Sequence, residues 1–252
     1  MSRSVRILNG SFDALTFKET VDAVLAAIRS GAGGWVCTVN VATLMAMRRN
    51  QALQSFVDRA LLVVADGQPI VWCARVFGGR LPERVAGIDL LEALAGRAAV
   101  EGARVYLLGS TAPLVARAVA RLRARHPGLA IDGAHGHFPL ATADERADEI
   151  RAHSTDLLFV GMGTPRQEGF IDSQWTRLGA TVAIGVGGSI DVLAGARLRA
   201  RPWMRRAGLE WLARMAQEPR RLMPRYLVCN TMFCLLIART LMLRTTRWLL
   251  RS

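Results

Sequence analysis

The sequence predicts an α/β fold: an open, mostly parallel sheet with helices on both faces and an α-helical C-terminal appendage. Three observations predict it. Short, fully apolar runs of strand length alternate with segments of helical periodicity through the first 196 residues. Strands that read as unbroken apolar runs are those of a parallel sheet covered on both faces, because neither face meets water. Glycine and small polar residues stand directly after several of these runs, at the sheet edge where open α/β folds bind ligands.

Taken in order, residues 5–8 read as the first strand. Thr16 is placed to cap a helix through Ile28, with Val21, Val24, Leu25 and Ile28 on one face. Strands follow at 35–39 and 61–65, with a helix beginning at Val41 and another around 69–77. Asp89 is positioned to cap a helix through Val100, and a weaker division at 97–102 separates two lobes. Strands at 105–108, 157–160 and 181–186, and helices at 112–125 and 144–152, complete an open α/β body, residues 1–196. The strand signal then stops. In the appendage, 197–252, residues 203–217 read as a helix, Pro219 and Pro224 as breaks, and 226–250 as a last helix.

Composition excludes several classes. With 51% hydrophobic and 21% charged residues in a chain of 252, there is apolar surface enough for a core, so a disordered chain is ruled out. Cys37, Cys73, Cys229 and Cys234 form no CxxC pair and lie near no His at ligand spacing, which supports reduced thiols and neither a zinc site nor a disulfide framework. Residues 1–20 contain no continuous apolar stretch of the secretory type. The net charge of +13 sits in the tail: residues 197–252 carry 13 Arg against Glu210 and Glu218, leaving 20 basic and 18 acidic residues for the body. Residues 226–243 are mostly apolar but are broken by Asn230, Arg239 and Thr240, the pattern of an amphipathic helix lying in a membrane interface with Trp248 and arginines at headgroup level. A helix packed on the protein's own core is the alternative.

Four strand ends carry candidate chemistry. They are Thr38 and Asn40; Asp66 and Gly67; Gly161, Gly163 and Gln167; and Gly187, Gly188 and Asp191. Glycines there let backbone amides approach a phosphate or ribose, and the helix start beyond adds partial positive charge. Asp66 ends an apolar strand and precedes an apolar helix, so a partly dry setting raises its pKa and suits it to take a proton from a hydroxyl; otherwise it caps that helix. Thr38 and Asn40 are placed to hydrogen-bond a sugar or to cap the helix from Val41. Arg84 in its loop can clamp a phosphate, and His137, after Gly136, can stack on a base or ribose. In the tail, Arg214 and Arg221 are spaced to fold guanidinium groups over diphosphates.

Other nucleotide chemistries fail on specific residues. Lys18 is the only lysine, so a phosphate-loop NTPase is excluded, and the glycine motifs lack the acidic partner of a nicotinamide fingerprint. No Asp-x-Asp pair occurs, so arginines rather than a metal ion would neutralise a diphosphate. Scarce tyrosines and scattered phenylalanines weigh against a nucleic-acid-binding protein, which with a non-catalytic nucleotide-binding module is the rival reading.

The ordered motifs TVN (38–40), ADG (65–67), ERVAGIDLL (83–91), GMGTPRQE (161–168), GVGGSIDVLAG (185–195) and GLEWLARMAQEPRR (208–221) resemble the WecG/TagA/CpsF family, glycosyltransferase family 26. The resemblance implies a Rossmann-like α/β body whose C-terminal appendage helps close the site, and inverting transfer of a sugar from a UDP donor to a polyprenyl-diphosphate-linked sugar at the cytoplasmic membrane face; no cofactor is expected. It makes Asp66 the general base, places Thr38, Asn40 and Gln167 at the reacting centre, and gives Asp191 and the glycine loops the uridine. The partners it implies are UDP-sugar, lipid-linked acceptor and an anionic membrane surface, with no nucleic acid; self-association is left open. His137 stands where such proteins often carry an aromatic residue, and the RAPxW pattern appears as Arg199-Ala200-Arg201-Pro202-Trp203, its proline displaced by one.

Overall fold

The computed structural model describes the backbone of residues 4–249, and the side chains of these except 140, 206, 221, 225 and 244–249. It opens with an antiparallel hairpin, β1 (Ser4–Ile7) and β2 (Gly10–Asp13), standing apart from the main sheet. The first expected strand is therefore not one of the parallel set. Its sequence shows why: Ser4 and Arg6 alternate with Val5 and Ile7, and only the latter two are buried, the half-buried pattern of an antiparallel strand.

The main sheet contains β3 (Gly34–Val39), β4 (Leu62–Ala65), β5 (Val105–Gly109), β6 (Ile131–Ala134), β7 (Leu157–Gly161) and β8 (Val182–Gly185). All neighbours are parallel and the order is β4-β3-β8-β7-β5-β6. Side chains alternate between two cores. Val36, Leu107, Phe159 and Ile184 point to one face, where they meet α1 (Phe17–Ser30), α5 (Gly87–Glu101), α6 (Ala112–Arg125) and α9 (Ser189–Leu193). Cys37, Leu108, Val160 and Ala183 point to the other, against α2 (Val41–Met47), α3 (Gln51–Asp58), α4 (Gln68–Val76), α7 (Ala143–Ala152) and α8 (Arg166–Leu178). The six strands, drawn from both sides of residues 97–102, form one sheet. Strand β6 escaped the sequence reading because Asp132 and Gly133 dilute its apolar run, as an edge position tolerates.

Helix starts follow local chemistry. Thr16 caps α1 and closes a capping box with Glu19, as its sequence predicts. Asp89 does not cap α5: that helix begins two residues earlier, after Ala86, and Asp89 lies in its first turn. The helical appendage comprises α10 (Pro202–Arg206), α11 (Glu210–Gln217) and α12 (Pro219–Leu249). The single helix expected over 203–217 is divided because Gly208 takes φ +70, the left-handed turn that glycine adopts without strain. Pro219 starts α12 and Pro224 lies inside it without ending it. A proline removes one ladder bond. Here Cys229, Met232, Phe233, Leu236 and Ile237 pack along one face against the core, and α2 is the chief neighbour, so packing holds the helix across that gap. Residues 250–252, at the end of the expected last helix, lie outside the described residues.

Candidate active site

The chain leaves β5 toward β6 at one edge and leaves β7 toward β8 in the opposite direction, so the loops beyond these adjacent strands diverge and open a crevice. A cavity of about 600 Å³ fills it. Asn40, Ser110, His137, Gly161, Gly187 and Asp191 bring the ends of five strands to its floor. Arg197, Arg199, Glu210, Arg214 and Glu218 close it from the appendage.

The two glycine loops are held to each other by Gln167. Its Oε1 accepts from the backbone amides of Gly163 at 3.2 Å and Gly187 at 3.1 Å, while its Nε2 donates to Glu168. Both glycines have positive φ, +78 and +52, so the amides turn inward in conformations that side-chain-bearing residues rarely adopt. Gln167 is 5% exposed and sits beneath the loops, whereas Gly161, Gly163, Gly187 and Gly188 line the cavity. Asp191 accepts from Ser110 Oγ at 2.5 Å and pairs with Arg197 at 3.1 Å; Arg197 also meets Glu218 at 2.7 Å. His137 Nδ1 lies 2.8 Å from the Ser110 carbonyl, which only accepts, so that nitrogen carries the proton and Nε2 faces outward from the bond.

Asp66 stands at the carboxyl end of β4, its backbone amide bonded to Val39 O at 2.9 Å. Burial raises its carboxyl to about 6 against the opposing pull of Arg214 and Arg84, with Glu210 and Asp89 adding to the rise. It is not a helix cap: Gly67 occupies that position in α4, with no side-chain cap bond. Around it, Arg84 donates to Glu210 at 2.5 Å and lies 3.9 Å from Asp89, while Arg199 also pairs with Asp89. Arg214 approaches Glu210 at 3.7 Å. Arg84 does not line the large cavity; Glu210, its partner, does.

Thr38 donates to the Gly185 carbonyl at 2.9 Å, and Gly87 of α5 approaches so closely that an added Cβ would lie 3.3 Å from its hydroxyl. Asn40 accepts from the Thr43 amide as the cap of α2, yet also lines the cavity, so both roles open to it from sequence are compatible. Arg214 reaches the cavity; Arg221 lies in α12 and its side chain falls outside the described residues. Sequence reasoning missed Ser110 and Thr111, although they follow β5 under the same strand-end rule that found the others. It also missed Arg197, Glu210 and Glu218, for which no local signal exists. Among the described residues, no group of three His, Cys, Asp or Glu side chains is arranged to hold a metal ion.

A model of the glycosyl transferase WecG/TagA/CpsF family matches residues 5–247. Among curated proteins, the chain is 32% identical over 221 residues to an N-acetylglucosaminyldiphosphoundecaprenol N-acetyl-beta-D-mannosaminyltransferase of Staphylococcus aureus, a match spanning 86% of each chain. A protein of the same name from Bacillus spizizenii is 31% identical over 189 residues, 75% of this chain and 73% of that one.

Proposed function

On the premise that this chain belongs to the WecG/TagA/CpsF family of glycosyltransferases, we propose that it transfers a sugar, with inversion, from a UDP-sugar to a polyprenyl-diphosphate-linked saccharide during synthesis of a cell-surface polysaccharide. The observation that carries this reading is the raised carboxyl of half-buried Asp66, in the field of Arg214, which lines a cavity built from glycine loops and arginines. In the proposed step Asp66 removes the proton from the acceptor hydroxyl, the freed oxygen bonds to the anomeric carbon, and the bond from that carbon to UDP breaks with its electron pair leaving on the diphosphate. The arginines of the cavity, Arg197 and Arg214 foremost, stabilise that charge without a metal ion. Asp191 and His137 hold the nucleoside, Asn40 and Thr38 order the reacting centre, Gln167 positions the glycine loops, and Arg221 joins the diphosphate contacts.

We assign the two parts different work, the body 1–196 binding the donor and the appendage 197–252 closing the site and meeting the membrane. Residues Leu222–Leu243 are long and apolar enough to cross a bilayer by length and composition, at a mean hydropathy of 1.7. One face of α12 packs on the body, however, while Leu227, Val228, Leu235, Met242 and Leu243 face outward. A helix so divided fits a peripheral position on an anionic cytoplasmic membrane face, its outer stripe among lipids. The relatives' names make N-acetylmannosamine the donor sugar and N-acetylglucosamine the acceptor sugar to test first. The test is release of UDP with a short-chain lipid-diphosphate acceptor. No release with any donor in a panel of UDP-hexosamines, uronates and glucose would sink the reading.

A further inference from the structure

A second pocket, of about 250 Å³, lies at Arg84, whose ion-pair partner Glu210 lines the large cavity. It is lined by Gln68, Trp72 and Arg75 of α4 and by Arg80, Leu81, Glu83 and Arg84 of the segment that follows, with the Glu83 carboxylate accepting from the Phe17 amide at 2.7 Å. The partition between the two spaces is the Arg84–Glu210 ion pair, whose arginine faces the small pocket and whose carboxylate faces the large one. Arg75 and Arg80 are exposed and, among the described residues, form no ion pair. Trp72 is 54% exposed, and the Gly208 turn presses on the same helix, so that a Cβ there would lie 2.8 Å from Gln68 and 3.1 Å from the Trp72 ring.

The chemistry of the transfer requires such a second approach. In an inverting displacement the hydroxyl attacks opposite the leaving diphosphate, so the acceptor cannot enter through the space the nucleotide fills. Resting on the transfer reading above, we infer that the pocket of Trp72, Arg75 and Arg80 binds the diphosphate of the lipid-linked acceptor and the first isoprene units beside it. Two exposed guanidinium groups match a diphosphate, and an exposed indole covers the apolar start of the chain. The volume falls below the roughly 300–1,000 Å³ of sites that enclose whole small molecules, which suits a head group whose tail stays outside. The tail has a route: Val71 and Cys73 of α4 and Cys229 and Leu236 of α12 pack against the same core, and the outer face of α12 is the apolar stripe.

The probe is farnesyl diphosphate, titrated calorimetrically into the full chain saturated with UDP, with inorganic pyrophosphate as the parallel arm. Binding of farnesyl diphosphate to the UDP-saturated protein is expected, weakened at least tenfold by Arg75→Gln/Arg80→Gln and severalfold by Trp72→Ala, with UDP affinity unchanged in both. Pyrophosphate should bind more weakly and be indifferent to Trp72→Ala. Competition between farnesyl diphosphate and UDP, or equal affinity in the double variant, overturns the assignment. Pyrophosphate binding as tight as farnesyl diphosphate would make the pocket a free-anion site and overturn the lipid source. If these binding results hold while no donor yields UDP release, it is the transfer reading that fails; if turnover proceeds normally in the double variant, the pocket assignment fails alone.

Discussion

Replacing Asp66 by Asn separates a base from a structural carboxylate by the sign of its effect on stability. Burial holds the Asp66 carboxyl at about 6 against an ordinary 3.8. A difference of about two units corresponds to about 3 kcal/mol at roughly 1.4 kcal/mol per unit. Because the folded-state value is raised, this group's contribution is fully present below pH 3.8 and is lost as pH rises through about 6. At pH 8 the native protein therefore carries an ionised carboxylate that costs it about 3 kcal/mol, and Asp66→Asn removes that cost. The variant should melt above the wild type at pH 8, by roughly 6–12 °C at 2–4 °C per kcal/mol, and close to it at pH 4. A helix cap would behave oppositely, since losing one destabilises by about 1 kcal/mol at either pH. Turnover should move the other way, falling roughly 10²-fold or more, and the wild-type kcat/KM should rise with pH along a limb near 6 that the variant lacks. The paired measurements are scanning calorimetry at pH 4 and 8 and UDP release across pH 5–9. Near-normal turnover in the variant, or a melting difference that does not change with pH, would refute the assignment of Asp66 as base.

Glu210→Gln keeps a hydrogen-bond acceptor for Arg84 but frees its charge to act on Asp66, so the ascending limb of the pH–rate profile should move below 6; an unmoved limb would contradict the electrostatics. Gln167→Ala deprives the Gly163 and Gly187 amides of their shared acceptor, and should cost about 1–3 kcal/mol in thermal unfolding and raise the donor KM at least tenfold. Activity should survive excess EDTA, and complete loss restored by Mg²⁺ or Mn²⁺ would show that the diphosphate is neutralised otherwise. Leu235→Gln/Met242→Gln, on the outward face of α12, should reduce flotation with anionic vesicles severalfold while leaving UDP affinity and melting temperature unchanged. Such a pair is a cleaner test than cutting α12 ahead of its apolar stretch, which would remove Phe233 and uncover the core beneath it.

The sheet and the body half of the site were legible because their signals are local. The runs in β5, β7 and β8 are buried on both faces and can only be apolar throughout, and the residues directly after β3, β4, β7 and β8 fall at one edge by topology alone. The hairpin β1–β2 was misassigned because a four-residue apolar stretch says little about its partner, although the alternation around Arg6 was there to read. The appendage side of the site was illegible for a different reason. Arg84 meets Glu210 across 126 positions and Arg199 meets Asp89 across 110, and no spacing rule connects such residues. Their meeting depends on the Gly208 turn and on α12 lying against α2, which are outcomes of packing along the whole chain.

Those distant pairs explain how a carboxylate can stay weakly acidic among arginines. Two bare guanidinium groups beside Asp66 would hold its pKa low and make it a poor base near neutral pH. Arg84 is instead committed to Glu210 at 2.5 Å and to Asp89 at 3.9 Å, and Arg214 shares Glu210 at 3.7 Å. Asp66 thus faces ion pairs whose fields partly cancel, and burial becomes the larger effect. One glutamate of the appendage thereby performs two tasks. It screens Asp66 from the arginines around it, and it walls the cavity against the pocket beyond Arg84. The appendage therefore tunes the proton chemistry of the body as well as covering its cavity, and α11, which carries both Glu210 and Arg214, is the element through which it does so.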